Sequence, residues 1–343
     1  MRIEVDELPP PAAWDGRVAA LRGTLFQSHA WAAYRCHDGR ARALHFSWFD
    51  DRSDDPVAVA LGIEHPAPGR MEASLGTRLT FDGPPAALTP GRDFAGSLER
   101  WCAGSRSVVE LNLGSFDART RWSDHPLASP LDRIEFHLLP REEDEAFRHM
   151  RKGARWSIKK ARKAGVEVEP RQDASALGAF AELYRSTLDR LERTKGVPAQ
   201  PLAGDRFAAA LELLVKRGNG RLYLATLAGQ PVAGCFFGLF DDGAFYLFNG
   251  STDKALAVGA TPLALHQAAR DLAGAGISRI NLGGVGAGAA DPGSTEHGLY
   301  SFKLGLGATP VPCLGGRVKV KPLRAGLVAA AARLQRRARA VLS

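Results

Sequence analysis

The chain has 343 residues, 45% apolar and 24% charged, which suits a soluble globular protein with room for about two domains. Its net charge of +8 favours an anionic partner without fixing a fold. Four separated cysteines (Cys36, Cys102, Cys235, Cys313) with no Cys-x-x-Cys exclude a zinc ribbon or a disulfide framework, and no metal site is expected. MRIEVDELPPP has no apolar signal core, and no run approaches the roughly 18 apolar residues of a membrane span, so the expected setting is cytoplasmic.

Residues 1–140 read as one α/β unit. Phe26-Gln27-Ser28 leads into a helix bearing Trp31 and Tyr34, with Ser28 as its N-cap. Strands are predicted over Ala43–Phe49 and Val57–Ile63, around a polar turn from Asp50 to Pro56. A short strand at Arg78–Phe81, a helix at Asp93–Cys102 and strands at Val108–Leu113 and Arg133–Leu139 follow, the last two separated by a polar loop with Trp122. Cys235, later in the chain, lies in an apolar run and reads as core.

Pro140 marks the domain boundary, giving domains over 1–140 and 141–319. One long helix is predicted from Glu142 to Ala164, with acids in its first turn and bases towards its end, as the helix dipole favours. Phe147, Met150, Ala154, Ile158 and Ala161 step by three and four and form its apolar face. Arg148, Lys152, Arg155, Lys159 and Arg162 step in the same way on another face, with Trp156 among them. That ridge reads either as a surface for phosphates, RNA included, or as a solvated helix face.

Beyond Gly165 come a strand at Val166–Glu169 and helices at Ala174–Arg193 and Leu202–Arg217. Strands at Arg221–Leu227, Val232–Phe240 and Ala244–Asn249 are joined by the turns Gly229-Gln230-Pro231 and Asp241-Asp242-Gly243. A helix at Thr261–Ala273 precedes a strand at Ile277–Leu282. Then comes a loop with Gly283, Gly284, Gly286, Gly288 and Gly293, and a helix with Tyr300, Phe302 and Lys303 that Gly305 and Gly307 stop. No Gly-Lys-Ser/Thr follows the glycines, so this is not a P-loop, and their spacing is not a dinucleotide fingerprint. The basic tail from Lys319 to Ser343 is too charged to span a bilayer. It either packs its Ala/Leu side on the protein, the favoured reading, or lies on an anionic membrane surface.

Four pieces together resemble the FemABX group of tandem GNAT proteins. They are Phe26-Gln27-Ser28 with Trp31, the run RKGARWSIKKARKAGVEVE, the meander LYLATLAGQPVAGCFFGLF leading into AFYLFNGST, and INLGGV through GLYSFKLGLG. The resemblance implies an α+β fold of two GNAT-like domains, each a mixed, mostly antiparallel sheet flanked by helices. It implies acyl transfer to an amine, from aminoacyl-tRNA or acyl-CoA as co-substrate, with no other cofactor required. The acceptor would be a nucleotide- or lipid-linked precursor of peptidoglycan or another envelope polymer.

The family's Phe-Lys motif matches Phe302-Lys303, which implies that Lys303 faces the oxyanion while Phe302 packs and fixes it. The alternative for Lys303 is a lysine that satisfies carbonyls at a helix C-terminus. Arg190 and Arg193, beside Thr187, resemble the family's Thr-x-x-Arg segment and are candidates for substrate phosphate. Tyr246, Asn249, Trp31 and Arg35 are further substrate-binding candidates, and Lys152, Arg155 and Lys159 are candidates for phosphate or RNA contact. Glu296, His297 and Asp291 lie where a base would stand, although an activated ester needs none. Acetyl-CoA users carry a Gln/Arg-x-x-Gly-x-Gly/Ala loop before the central helix. Here Lys254–Thr261 keeps only Gly259 and Ala260 of it, which puts aminoacyl-tRNA ahead of acetyl-CoA. A small-molecule N-acetyltransferase and a non-catalytic module binding RNA or an anionic precursor are the alternatives.

Overall fold

The computed structural model describes residues 1–50, 54–66, 76–89, 94–114, 129–195, 204–328 and 330–331. The Trp122 loop, Asp93 and Arg333 onward in the tail lie outside the described residues. Two compact units result: Met1–Arg133 joined by Pro312–Ser343, and Ile134–Val311. The chain passes between them inside a strand, ahead of Pro140, because Phe136 is already fully buried in the second unit's core.

In the first unit, β1 (Arg2–Asp6), β2 (Arg42–Phe49), β3 (Pro56–Pro66) and β4 (Thr77–Phe81) pair antiparallel in that order, with β5 (Ala86–Ala87) beside β3. β4 then pairs parallel with β6 (Val108–Leu113). Helices are α1 (Pro11–Ala20), α2 (His29–Arg35) and α3 (Phe94–Gly104). Alternate residues of β2, Leu44, Phe46 and Trp48, bury against Phe81, Phe94 and Leu98. The Ser28 hydroxyl accepts from Trp31 N at 3.1 Å, the cap that the sequence implies. β1 and α1 are additions to the sequence reading.

On the other side of β2, His45 is buried. Its Nδ1 meets the Asp6 carbonyl at 3.3 Å, and the Trp14 ring stands edge-on at 4.7 Å. Its Nε2 has no hydrogen-bond partner among the described residues. Burial holds the imidazole down to about 4.

The second unit repeats the pairing scheme. β8 (Val166–Arg171), β9 (Gly220–Leu227), β10 (Gln230–Phe240) and β11 (Gly243–Ser251) are antiparallel in order, and β11 pairs parallel with β12 (Arg279–Gly286). β7 (Ser129–Leu138) lies beside β12. α6 (Ala174–Lys195) and α7 (Asp205–Lys216) cover one face, where Phe180 stacks over Phe236 and Phe207 stands against Phe248. α5 (Lys152–Lys163) and α9 (Ala260–Gly274) cover the other, where Cys235 and Phe237 bury with Ile158, Ala264 and Ala268. The duplicated domain plan, which element order alone suggested, therefore holds at the level of strand pairing.

The single helix predicted over Glu142–Ala164 is two: α4 (Glu143–His149) and α5. Met150 and Arg151 between them are extended, with ψ of 145° and 153°. The break follows from a tertiary bond, Arg151 N donating to Gly305 O at 2.9 Å, while Met150 is buried. Glu143 bridges α4 to both neighbours, meeting Arg162 at 2.7 Å and Arg270 at 2.9 Å. These cations hold its carboxyl below the usual range.

β13 (Thr309–Val318) pairs antiparallel with β6 through Gly316–Val318, and residues 322–328 form a helix with Val328 packed on Val109. Val328 thus lies on the first unit and Ala325 is buried, but Leu323 and Leu327 are exposed, so the leucine side of the tail is not packed as the favoured sequence reading expects. No helix of the described residues is long and apolar enough to cross a membrane.

Candidate active site

β11 and β12 pair over three positions, Gly243↔Arg279 to Phe245↔Asn281. Past these, β11 continues to Ser251 and β12 to Gly286. Asn281 turns the chain: its Oδ1 accepts from Gly283 N at 2.7 Å, and Gly283 takes φ +74°, a conformation that favours glycine. The glycine loop expected after Leu282 therefore begins later, since Gly283, Gly284 and Gly286 still belong to β12. A short 3-10 turn, Ala287–Ala290, and α10 (His297–Gly305) follow.

α10 carries Lys303 inward. Only 5% of this residue is exposed, an unusual position for an ammonium group. Its Nζ donates to Gly284 O at 3.3 Å and stands 5.3 Å from the Phe136 ring centroid. A cation over an aromatic face gains about 0.5–2 kcal/mol, which offsets part of the burial cost. A side chain on Gly283 would begin 3.6 Å from that Nζ and 3.7 Å from Tyr246 O. Gly283 thus leaves open the space between the ammonium and the β11 backbone. Phe302 is half-buried on the core, and Tyr300 meets Phe136 edge-on at 5.4 Å, so the turn of α10 that carries Lys303 is fixed by packing.

The candidate bases brace the glycine segment. Glu296 accepts from Gly286 N at 2.9 Å and Asp291 from Gly293 N at 2.8 Å. Both ring nitrogens of His297 are engaged, with Ala289 O at 3.2 Å and Ser301 Oγ at 3.1 Å.

Tyr246 and Asn249 are three residues apart and, in a regular strand, would face opposite ways. A register shift pairs Phe237 with Tyr246 but Phe236 with Phe248, so Leu247 is the extra residue of a bulge. Both side chains then share the face of Cys235 and Phe237. The Tyr246 hydroxyl accepts from the Cys235 thiol at 3.8 Å, and burial, with Cys235 beside it, pushes the phenol well above its usual range. Tyr246 therefore stays protonated. The Asn249 Oδ1 is buried with no hydrogen-bond partner among the described residues, an acceptor turned towards the same side.

Other candidates are differently placed. Trp31 is buried, its Nε1 donating to Asp82 at 2.8 Å, and Arg35 pairs with the same carboxylate while meeting His65 at 3.1 Å. Both brace the first unit's core. Arg190 donates to Ser251 O and Oγ, each at 3.0 Å, and meets Asp253 at 3.3 Å, while the Thr187 hydroxyl accepts from Ser251 N at 2.8 Å. Arg190 thus ties α6 to the end of β11 rather than presenting its fork to solvent. Arg190→Ala should lower unfolding stability by about 1–3 kcal/mol in a urea titration, without changing affinity for phosphate-bearing ligands. Arg193 is exposed on α6, its Nε donating to Asp189 O at 3.4 Å. Lys152 and Lys159 are exposed and Arg155 half-exposed, along α5.

The segment where acetyl-CoA users carry an open loop is a helix here, α8 (Asp253–Val258), capped by Thr252. Gly259 has φ +81°, and a Cβ on it would fall 2.6 Å from Ser157 O. The start of α9 is therefore packed on α5.

Residues 148–303 match the family model described as an acetyltransferase (GNAT) domain. No curated protein sequence matches the chain. Among solved structures, FemX is similar at 13% identity with a TM-score of 0.71, over 96% of this chain and 100% of its own. A C-terminal domain of a putative lysylphosphatidylglycerol synthetase from Agrobacterium fabrum is similar at 14% identity, TM-score 0.51, over 94% of this chain and 96% of its own. L-PGS from Bacillus licheniformis is similar at 11% identity, TM-score 0.52, over 96% and 99%.

Proposed function

We propose that this chain, a FemABX-like acyltransferase with an acetyltransferase (GNAT) domain over residues 148–303, moves an aminoacyl group from aminoacyl-tRNA to an amine. The observation that carries the reading is the buried Lys303 ammonium beside Gly283 and Gly284, where the β11–β12 pairing ends. The amine nitrogen attacks the ester carbonyl carbon, and its oxygen takes up negative charge. Lys303, buried and held at Gly284 O, neutralises that charge. The C–O bond then breaks, the amide forms, and the ribose hydroxyl leaves with the proton that the amine gives up. An ester is already activated, which fits Glu296, His297 and Asp291 serving as braces. The protonated Tyr246 and the buried, unpartnered Asn249 Oδ1 are the candidates to orient the attacking amine.

The donor choice rests on α8 and Gly259. Pyrophosphate binding at a helix N-terminus needs open backbone N–H groups, and the α9 terminus is packed against Ser157. The exposed cations of α5 suit a phosphate-bearing acceptor, nucleotide- or lipid-linked, of an envelope polymer.

Hydroxylamine, a surrogate amine, tests the donor. With charged tRNA labelled in its amino acid, the protein should form hydroxamate above the rate without protein, and with acetyl-CoA it should not. Hydroxamate from acetyl-CoA alone would replace this reading with a small-molecule N-acetyltransferase. Product from neither donor would leave a binding module.

A further inference from the structure

α5 buries Ile158 and Ala161 in the second unit's core. At 3.6 residues per turn the opposite stripe is Lys152, Trp156, Lys159 and Lys163, all exposed, with Trp156 61% exposed. The sequence KGARWSIKKARK has six bases and no acid. Arg162 is held by Glu143 at the stripe's margin. α8 lies against α5 and exposes Lys254 and 56% of Leu256. Its one acid, Asp253, meets Arg190.

A single exposed apolar side chain is ordinary. Here an indole sits at the centre of a lysine stripe, with an exposed leucine on the adjoining helix. RNA would use the indole as a stacking platform, but Lys160 Nζ stands 4.9 Å from its centroid and occupies one face. Leu256 offers a base no aromatic surface. A bilayer uses both: indole and leucine enter the headgroup–acyl boundary while lysines meet phosphates. We propose that the α5–α8 face docks on a membrane of anionic phospholipid. This deepens the phosphate-binding reading of the α5 cations given above, on which it rests, and it stands apart from the chemistry at Lys303.

Sedimentation with vesicles, without any acyl donor, tests it separately from acyl transfer. The protein should bind phosphatidylglycerol–phosphatidylcholine vesicles at low salt and leave pure phosphatidylcholine unbound. Replacing Lys152, Lys159 or Lys163 by Ala should weaken binding roughly fivefold each, and Trp156→Ala roughly tenfold or more. These side chains are exposed, so thermal melts should be unchanged. A blue shift of tryptophan emission on vesicle binding should vanish in Trp156→Phe. Absence of anionic-vesicle binding, or binding indifferent to Trp156→Ala, overturns the proposal. So does uncharged-tRNA binding that Trp156→Ala abolishes in a protein that ignores vesicles, which would assign the face to RNA.

Discussion

Lys303→Met should lower the turnover of acyl transfer by about 100- to 1,000-fold while donor and acceptor affinities change little. Loss of one fixed oxyanion donor costs about 3–4 kcal/mol in the transition state, and the charge exists only there. Methionine keeps the length of the buried chain against Phe136 and removes the charge, so the fold is preserved. Single-turnover rates and equilibrium binding, measured side by side, separate the two effects. Unchanged single-turnover rates would make Lys303 a structural helix-end lysine, held at the Gly284 carbonyl.

The second large effect is on stability. Between pH 7 and pH 4 the first unit should lose about 3 kcal/mol through His45. Unfolded, this imidazole takes its proton near 6.5, and folded only near 4. Between those values the unfolded chain binds more protons, so stability rises with pH across the window. It is complete above about 6.5 and lost as pH falls towards 4. The cause is burial against Trp14 with Nε2 unpartnered, the nearby His29 adding to it and the Asp6 carbonyl opposing it. In His45→Leu the urea midpoint should fall less over the same range. Equal falls in both proteins would place the acid sensitivity elsewhere.

Element order was legible because periodicity and turn residues are local. Gly229 and the Asp241-Asp242-Gly243 turn mark the hairpins of the second unit, and the structure puts strands on either side of them. The break at Met150–Arg151 was not, because neither residue disfavours a helix and the apolar spacing runs on through Ile158. A bond from a distant carbonyl, Gly305 O, made it. β1 and α1 were missed, although Pro11 at the helix start and the spacing of Trp14 and Val18 marked α1. The motif pointed to Lys303, but that its ammonium stands over the Phe136 ring could not be read, because Phe136 is far away in sequence. That Tyr246 and Asn249 share a face could not be read, since nothing in AFYLFNGS marks Leu247 as the bulge. The contacts of Arg190, Arg35 and Trp31 could not be read, because sequence shows a charged or aromatic residue without its partner. Ser251 and Asp82 were those partners.

β13 has a consequence for biosynthesis. The first unit needs residues from Pro312 onward to pair the free side of β6 and to cover Val109. Those residues leave the ribosome after all of Ile134–Val311. The half that is translated first therefore waits, with an open strand edge, while the second unit can close as soon as its own segment is out.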